Sequence, residues 1–384
     1  MIYVTLKVEP KPYQISFEDM LKGISEEQLR ANQERKNPFN TRTSVCKSTP
    51  KRLLDVVNID EKIEKIKDFV EKYKDLIELE DKSVLYRSFS IPKKSGGLRH
   101  IDAPQEELMQ ALNDLKYLFE KHLFANYHNS AYAYVKGRCT IDAVKKHQAN
   151  KSRWFLKLDF HDFFGSTTPE FIENQFRMLF PFNEIFARVD GAEALKKALS
   201  LCFLRGGLPQ GTPISPLLTN LMMIPIDLRL SRLCRKHTPH LVYTRYADDM
   251  LISSDLSFKF MELQDEIISV LKEFNAPFEL NTKKTRYGSN AGRNWNLGVM
   301  LNKDNEITIG HQKKKQFKAM LFSFATDLKN NIRWEIGDVQ ELLGKISYYR
   351  AVEKDNINKI IKDYSTKFDI DIEQVMKDII ANRI

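Results

Sequence analysis

Two adjacent carboxylates, Asp248 and Asp249, sit between apolar, β-prone flanks in Tyr243-Thr244-Arg245-Tyr246-Ala247-Asp248-Asp249-Met250-Leu251-Ile252. The pattern predicts a hairpin, with Val242 and Tyr243 on one strand, Leu251 and Ile252 on the other, and the acids at the turn. At about 4 Å and an effective dielectric of about 20, two such charges repel by about 4 kcal/mol. A fold keeps them cheaply only under a cation, and hard oxygen ligands suit Mg²⁺. An isolated Asp-Asp pair is commonly no more than a solvated turn, so the residues around it must decide.

The strand Trp154-Phe155-Leu156-Lys157-Leu158-Asp159-Phe160 ends in a third acid. Asp159 alone reads more readily as a helix N-cap. Beside the hairpin it completes a set of three carboxylates from two strand ends. Such a set can hold two Mg²⁺ ions about 4 Å apart, the arrangement that clamps attacking and leaving oxygens in phosphoryl transfer. The backbone carbonyl of Phe160 is a further candidate ligand. Between the acids lies Arg205-Gly206-Gly207-Leu208-Pro209-Gln210-Gly211-Thr212-Pro213-Ile214-Ser215-Pro216. Its small residues let a nucleic-acid strand or nucleotide approach the backbone.

The 384 residues carry 60 Lys and Arg against 51 Asp and Glu, a net charge of +9 that favours polyanionic partners. Four cysteines lie far apart without metal-ligand spacing, as in reduced cytosolic proteins. Neither a signal peptide nor an apolar run long enough to span a membrane is evident, so a cytoplasmic protein with no membrane partner is expected.

Helices are expected over Leu53–Leu79, Gln105–Phe124, from Pro169, over Ile214–Leu233 and over Phe258–Phe274. Strands are expected at Tyr86–Ile91, Leu98–Ile101 and Phe155–Phe160, around Phe278–Leu280 and at Leu297–Leu301. The last 70 residues or so read as helical, with Trp334, Tyr348 and Tyr349 as core. The class is α+β.

Asp159 with Phe163-Phe164, then Leu-Pro-Gln-Gly at 208–211, then Tyr-Ala-Asp-Asp at 246–249, resemble in order and spacing the palm motifs of reverse transcriptases. The closer resemblance is to bacterial ones of retron, group II intron and defence-associated types. Ile91-Pro92-Lys93-Lys94-Ser95-Gly96-Gly97-Leu98-Arg99-His100-Ile101 is similar to their fingers hairpin. Ala131-Tyr132-Ala133-Tyr134-Val135-Lys136-Gly137-Arg138 resembles the segment before the catalytic strand. Asn281-Thr282-Lys283-Lys284-Thr285 and Leu297-Gly298 match later palm motifs. Seven ordered motifs over residues 81–310 are far more specific than one.

The resemblance implies a right-hand polymerase fold: an N-terminal extension (1–80), fingers (81–150), a palm with an antiparallel sheet (151–310) and a helical thumb (311–384). It implies an RNA-directed DNA polymerase that adds dNTPs to a 3′-hydroxyl on an RNA template and releases a DNA product. Asp159, Asp248 and Asp249 would be catalytic and bind two Mg²⁺ ions, or Mn²⁺ in their place. Lys93 or Lys94 and Arg99 would neutralise the triphosphate, the lysines being otherwise a solvated basic hairpin. Phe164 would be a steric gate against a 2′-hydroxyl, or else core. Gln210 would touch the new base pair. Lys284 would be a general acid for pyrophosphate departure, or else a surface lysine. Gly211, Tyr246, Leu297 and Gly298 would contact primer or template. Lys313, Lys314 and Lys315 would track a duplex backbone, or simply face water.

Two departures point away from a typical retron. Asn296-Leu297-Gly298-Val299 stands where retrons carry Val-Thr-Gly, and Asp142-Ala143-Val144-Lys145-Lys146-His147 is a longer form of their Asn-Ala-x-x-His. Elimination leaves a stand-alone, defence-associated enzyme copying a dedicated non-coding RNA. Its residues 1–80 would bind RNA, a protein or another protomer. Open alternatives are template-independent or protein-primed synthesis, a retron enzyme making msDNA, and a non-catalytic RNA-binding scaffold.

Overall fold

The computed structural model describes residues 58–92, 96–123, 126–290 and 297–381. Two compact units emerge, each discontinuous in sequence. Among the described residues, one takes those up to Arg138, Leu158–Met250 and Lys259–Thr285; the other takes Cys139–Lys157, Leu251–Phe258 and those from Arg286 on.

In the first unit, α1 (Ile59–Lys72) starts at Asn58, whose side chain accepts from the Glu61 amide. Its buried face is Ile59, Ile63, Ile66 and Phe69, at helical spacing. A short α2 (Lys74–Glu78) follows. Residues 53–57 of the helix expected there lie outside the described residues. β1 (Tyr86–Pro92) and β2 (Leu98–Pro104) pair antiparallel, with Arg99 opposite Ile91. This exposed two-stranded hairpin would be marginal alone; Tyr86 and Pro104 bury its base. α3 (Glu106–Lys121) buries Leu108, Ala111, Leu112, Leu115, Leu118 and Phe119, the stripe expected from sequence. Each such leucine contributes about 1.5–3 kcal/mol by burial.

The chain then gives α4 (Thr140–Ala149) and β3 (Trp154–Asp159). Pro169 opens α5 (Pro169–Phe176), as expected, with Thr168 as its cap. Next come α6 (Phe182–Phe186) and α7 (Val189–Ser200). The single helix expected over Ile214–Leu233 is in fact two, α8 (Ser215–Met222) and α9 (Ile224–Lys236). Pro225 has no N–H to return to the preceding turn and its ring clashes there, so the first helix stops before it. β4 (Val242–Tyr246) and β5 (Asp249–Ser254) form the predicted acidic hairpin, and α10 (Phe260–Glu273) follows.

The strand expected at Phe278–Leu280 does not form; only Leu280 bridges, to Phe160. The strand that does form there is β6 (Arg286–Ser289). Its Arg-Tyr-Gly-Ser sequence carries little β propensity, so tertiary pairing with β3 makes it a strand. Trp154 faces Ser289 and Lys157 faces Arg286 in this antiparallel ladder. The sheet order is β4-β5-β3-β6, and the chain of β3 and of β5 passes from one unit into the other.

The second unit adds a small ladder of β7 (Met300–Leu301) and β8 (Ile307–Thr308). Four helices follow: α11 (His311–Lys329), α12 (Ile336–Val352), α13 (Lys354–Phe368) and α14 (Ile372–Ile380). Their core includes Phe317, Leu321, Phe324, Leu342, Ile346 and Ile357. Trp334 and Tyr349 belong to it as expected. Tyr348 does not: it is 38 % exposed. On α12 it lies one residue from Tyr349, about 100° round the helix from the buried stripe.

Among the described residues no helix is long and apolar enough to cross a membrane. Cys139, Cys202 and Cys234 form no disulfide there, and Cys46 lies outside them.

His147 on α4 is completely buried, its Nδ1 lying 2.6 Å from Ser253 Oγ, which donates to Ser152 Oγ at 2.7 Å. Burial lowers its pKa to about 3, so the folded state holds a neutral ring while the unfolded chain titrates near 6.5. The stability this adds is complete above about pH 6.5 and is lost as pH falls, at about 1.4 kcal/mol per unit. Melting temperature measured from pH 6.5 to 5 should therefore fall, and His147→Gln should flatten that slope while lowering the value at neutral pH.

Candidate active site

A two-residue turn, Ala247-Asp248, joins β4 to β5. Ala247 adopts φ +57°, a left-handed conformation that costs an L residue about 1–2 kcal/mol. What holds it lies directly beneath. Arg245 is fully buried and forks onto Asp227 of α9, Nε to Oδ1 at 2.9 Å and Nη2 to Oδ2 at 2.8 Å. Its Nη1 donates to the Ala247 carbonyl at 3.1 Å. The Tyr243 hydroxyl donates to Asp227 at 2.7 Å. Burial opposes the Arg245 charge, but Asp227 outweighs it and the pKa ends raised. Burial, with Asp227, raises the Tyr243 hydroxyl well above its ordinary value, so it remains a donor. The other edge of β4 takes up residues 130–132: Arg245 N donates to Ser130 O, Tyr132 N donates to Arg245 O, and Ala131 bridges Arg245 in parallel.

Asp159 reaches the same place from β3. The amide of Phe160 donates to Asp248 O at 3.3 Å, tying the end of that strand to the acidic turn. An extended residue points its N–H and C=O to one side, so the Phe160 carbonyl faces the turn too. On the opposite side Asn281 N donates to Asp159 O at 2.7 Å. The turn that follows delivers Lys284, whose Nζ lies 2.8 Å from Asp159 Oδ1. That hydrogen bond raises the Lys284 pKa, helped by the charges of Asp159, Asp248 and Asp249.

Burial raises the Asp248 pKa, with Asp249 and then Asp159 adding to it. The three carboxylates thus feel one another in a half-buried setting, which is the electrostatic condition a divalent cation relieves. Among the described residues, though, no three His, Cys, Asp or Glu side chains stand ready as a metal cage. Lys284 Nζ occupies one oxygen of Asp159, so a metal using that oxygen would exchange with the ammonium. With that exchange, the hard oxygen donors fit Mg²⁺.

Phe163 and Phe164 part ways. Phe163 is buried, stacked on Phe160 at 5.2 Å and edge-on to Phe278. Phe164 is only half-buried. Its carbonyl accepts from Leu208 N at 3.0 Å, so the Leu-Pro-Gln-Gly loop fixes the backbone beneath the ring. That approach requires Gly207, whose Cβ would stand 2.1 Å from Gly165 O. Gln210 O accepts from Asp102 N of β2 at 2.9 Å. Gly211 (φ +124°) leaves room for β2, since a Cβ there would stand 2.9 Å from Asp102 O. The close approach made by this glycine is to protein backbone. Arg99 is exposed on β2 and Tyr246 half-buried at the end of β4. Lys93 and Lys94 lie outside the described residues.

Leu297, Gly298 and Lys313–Lys315 all belong to the second unit. There Leu297 (φ +53°) and Gly298 (φ +86°) form a turn whose carbonyl, at Gly298, accepts from Lys313 Nζ at 2.5 Å. Lys314 pairs with Glu353 at 2.7 Å, and Lys315 is exposed.

Sequence reasoning missed the Arg245–Asp227 pair. The available signal was a charge inside each of two apolar patterns, Tyr243–Tyr246 and Ile226-Asp227-Leu228. Arg245→Met should lower the unfolding free energy by about 3–5 kcal/mol in urea melts, because Asp227 is left buried and uncompensated. Adding Asp227→Leu should recover much of that stability without recovering the rate of DNA synthesis, since the Ala247 carbonyl remains unheld.

Residues 91–320 match the family described as "Reverse transcriptase (RNA-dependent DNA polymerase)". The chain is 28% identical to the Retron Ec83 reverse transcriptase of Escherichia coli, over 73% of this chain and 86% of that one. It is 26% identical to the Retron Ec73 reverse transcriptase of Escherichia coli, over 72% and 86%. A solved telomerase of Candida albicans, in complex with a fragment of telomeric RNA, aligns over 81% of this chain and 63% of that one. Its identity is 12% and its TM-score 0.41, a level at which likeness decides nothing. The α+β architecture is accordingly the right-hand polymerase fold, and the activity is RNA-directed DNA polymerisation. The chain belongs to the reverse transcriptase family.

Proposed function

We propose that Asp159, Asp248 and Asp249, with the Phe160 carbonyl, bind two Mg²⁺ ions and carry out nucleotidyl transfer to a primer 3′-hydroxyl, Mn²⁺ serving as a substitute. The observation that carries this reading is the bond from Phe160 N to Asp248 O, which ties the strand end carrying Asp159 to the acidic turn. When bound, the ions activate the attacking oxygen and neutralise the leaving one. Lys284, which pairs with Asp159, would stand beside the acids as a protonated ammonium able to give its proton to departing pyrophosphate. Arg99, with Lys93 and Lys94, neutralises the triphosphate. Phe164 sits under the sugar and rejects a 2′-hydroxyl, while Gln210 steadies the new pair. Gly211, Tyr246, Leu297 and Gly298 contact primer and template, and Lys313–Lys315 meet the duplex backbone. In these terms residues 81–150 are fingers, 151–310 palm and 311–384 thumb.

The template in this reading is a dedicated non-coding RNA, the setting is antiphage defence in the bacterial cytoplasm, and residues 1–80 engage a partner or second protomer. A second reading, a retron enzyme making msDNA, is favoured by the retron identity of the curated relatives. It weighs against elimination based on the two sequence departures. Sequencing the nucleic acid that copurifies with the protein separates the two: retrons predict one structured RNA joined to its own DNA copy.

With labelled dNTPs and Mg²⁺, wild-type protein should extend the copurified template, and Asp248→Ala/Asp249→Ala should reduce incorporation to background. Equal incorporation by both proteins would refute the assignment of the acids, and incorporation surviving RNase pretreatment would indicate template-independent synthesis. Phe164→Ala should relax discrimination against NTPs by about tenfold or more, read as the ratio of kcat/KM values. Saturating Mg²⁺ should also raise the melting temperature. Because Asp248 has a raised pKa, its charged form weighs against the fold above that pKa. The gain from Mg²⁺ should therefore be largest near neutrality and shrink as acid protonates the site.

A further inference from the structure

Tyr134 combines three features that a structural residue does not need. It is a non-glycine residue at φ +58°, where an L side chain is strained and a glycine would not be. Its side chain is 58 % exposed, so little burial offsets that strain. Hydrogen bonds on the backbone around it impose the conformation. Asn220 Nδ2 donates to Ala133 O at 2.8 Å, Arg138 Nη1 donates to Ala131 O at 2.7 Å, and Arg138 N closes a turn onto Val135 O at 3.1 Å.

Register says where the strained residue stands. Ala131 bridges Arg245 in parallel, flanked by the bonds from Arg245 N to Ser130 O and from Tyr132 N to Arg245 O. From that bridge the two segments run in the same direction, Tyr134 and Asp248 each lying three residues beyond it in a turn. The electrostatics agree. Burial of its hydroxyl raises the Tyr134 pKa, the charges of Asp248 and Tyr246 add to this, and Arg99 opposes it. The phenol therefore lies within the fields of both the acidic turn and Arg99, and it keeps its proton as a donor.

We propose that Tyr134 is a nucleotide-binding residue: its phenol closes the nucleotide site between Arg99 and the acidic turn, and its hydroxyl donates to a phosphate oxygen of the incoming deoxynucleoside triphosphate. The proposal rests on Arg99 marking the triphosphate site. Strain at an exposed aromatic is retained because it aims the ring at the ligand, not because it stabilises the fold.

The test is steady-state primer extension by full-length protein on a ribo-homopolymer template, with Tyr134→Phe, Tyr134→Gly and Arg99→Ala beside wild type, and thermal melts of each. Loss of a hydrogen bond to a charged oxygen should raise KM for the dNTP about tenfold in Tyr134→Phe, with a smaller change in kcat. Tyr134→Gly should raise KM at least as much and yet raise the melting temperature by about 2 °C, because the backbone strain is removed. A structural tyrosine would give the opposite pairing, a lower melting temperature with KM unchanged. If both Tyr134 variants keep KM within about twofold while Arg99→Ala raises it, the proposal fails and the nucleotide site stands. If Arg99→Ala also leaves KM unchanged, the reading of Arg99 fails with it.

Discussion

The buried ion pair of Arg245 and Asp227 is the constraint on which the rest of the site depends. Both side chains are completely enclosed, and two charges removed from water are tolerated only with near-ideal geometry and every remaining proton satisfied. Here the fork onto Asp227, the Tyr243 hydroxyl and the Ala247 carbonyl give every side-chain nitrogen of Arg245 and both oxygens of Asp227 a partner. The arrangement links a helix, a strand and a turn through one guanidinium. It also imposes the left-handed backbone at Ala247, so that Asp248 and Asp249 follow at fixed positions. An apolar core of the same volume would pack as well, but it could not hold a carbonyl at the turn.

Above that anchor the site is a managed conflict of charge. Three acids face one another where water is partly excluded, and Asp248 responds by holding its proton more tightly. Lys284 answers part of the conflict by pairing with Asp159. That ion pair neutralises part of the acidic charge at the turn, and it is the contact that the proposed Mg²⁺ would replace. The same economy explains the neighbouring glycines: Gly207 and Gly211 bring the Leu-Pro-Gln-Gly loop against the backbone at Gly165 and Asp102, coupling Phe164 and β2 to one loop.

Much of this was legible before any coordinates. The acidic hairpin formed where alternating apolar residues and a two-residue turn predicted it, and the stripe of α3 and the cap of α5 followed local rules. Phe163 and Phe164 separated into a buried ring and a half-buried one. The failures share a cause. The break at Pro225 was a local signal overlooked in an apolar run. β6 was invisible because its strand state comes from β3 rather than from its own residues. Tyr348 could not be assigned, since adjacent residues on one helix differ only in which face the bundle covers.

The chain by itself determined its family, its fold class and the acidic hairpin, because those properties reside in residue types at fixed spacing along a strand or turn. Tertiary structure alone decided that Lys284 balances Asp159 across 125 positions, that Arg245 reaches Asp227, and that Ala131 pairs with Arg245. Charges far apart in sequence have no preferred distance until the backbone closes between them. Their energies, which depend steeply on separation and burial, therefore belong to the folded state.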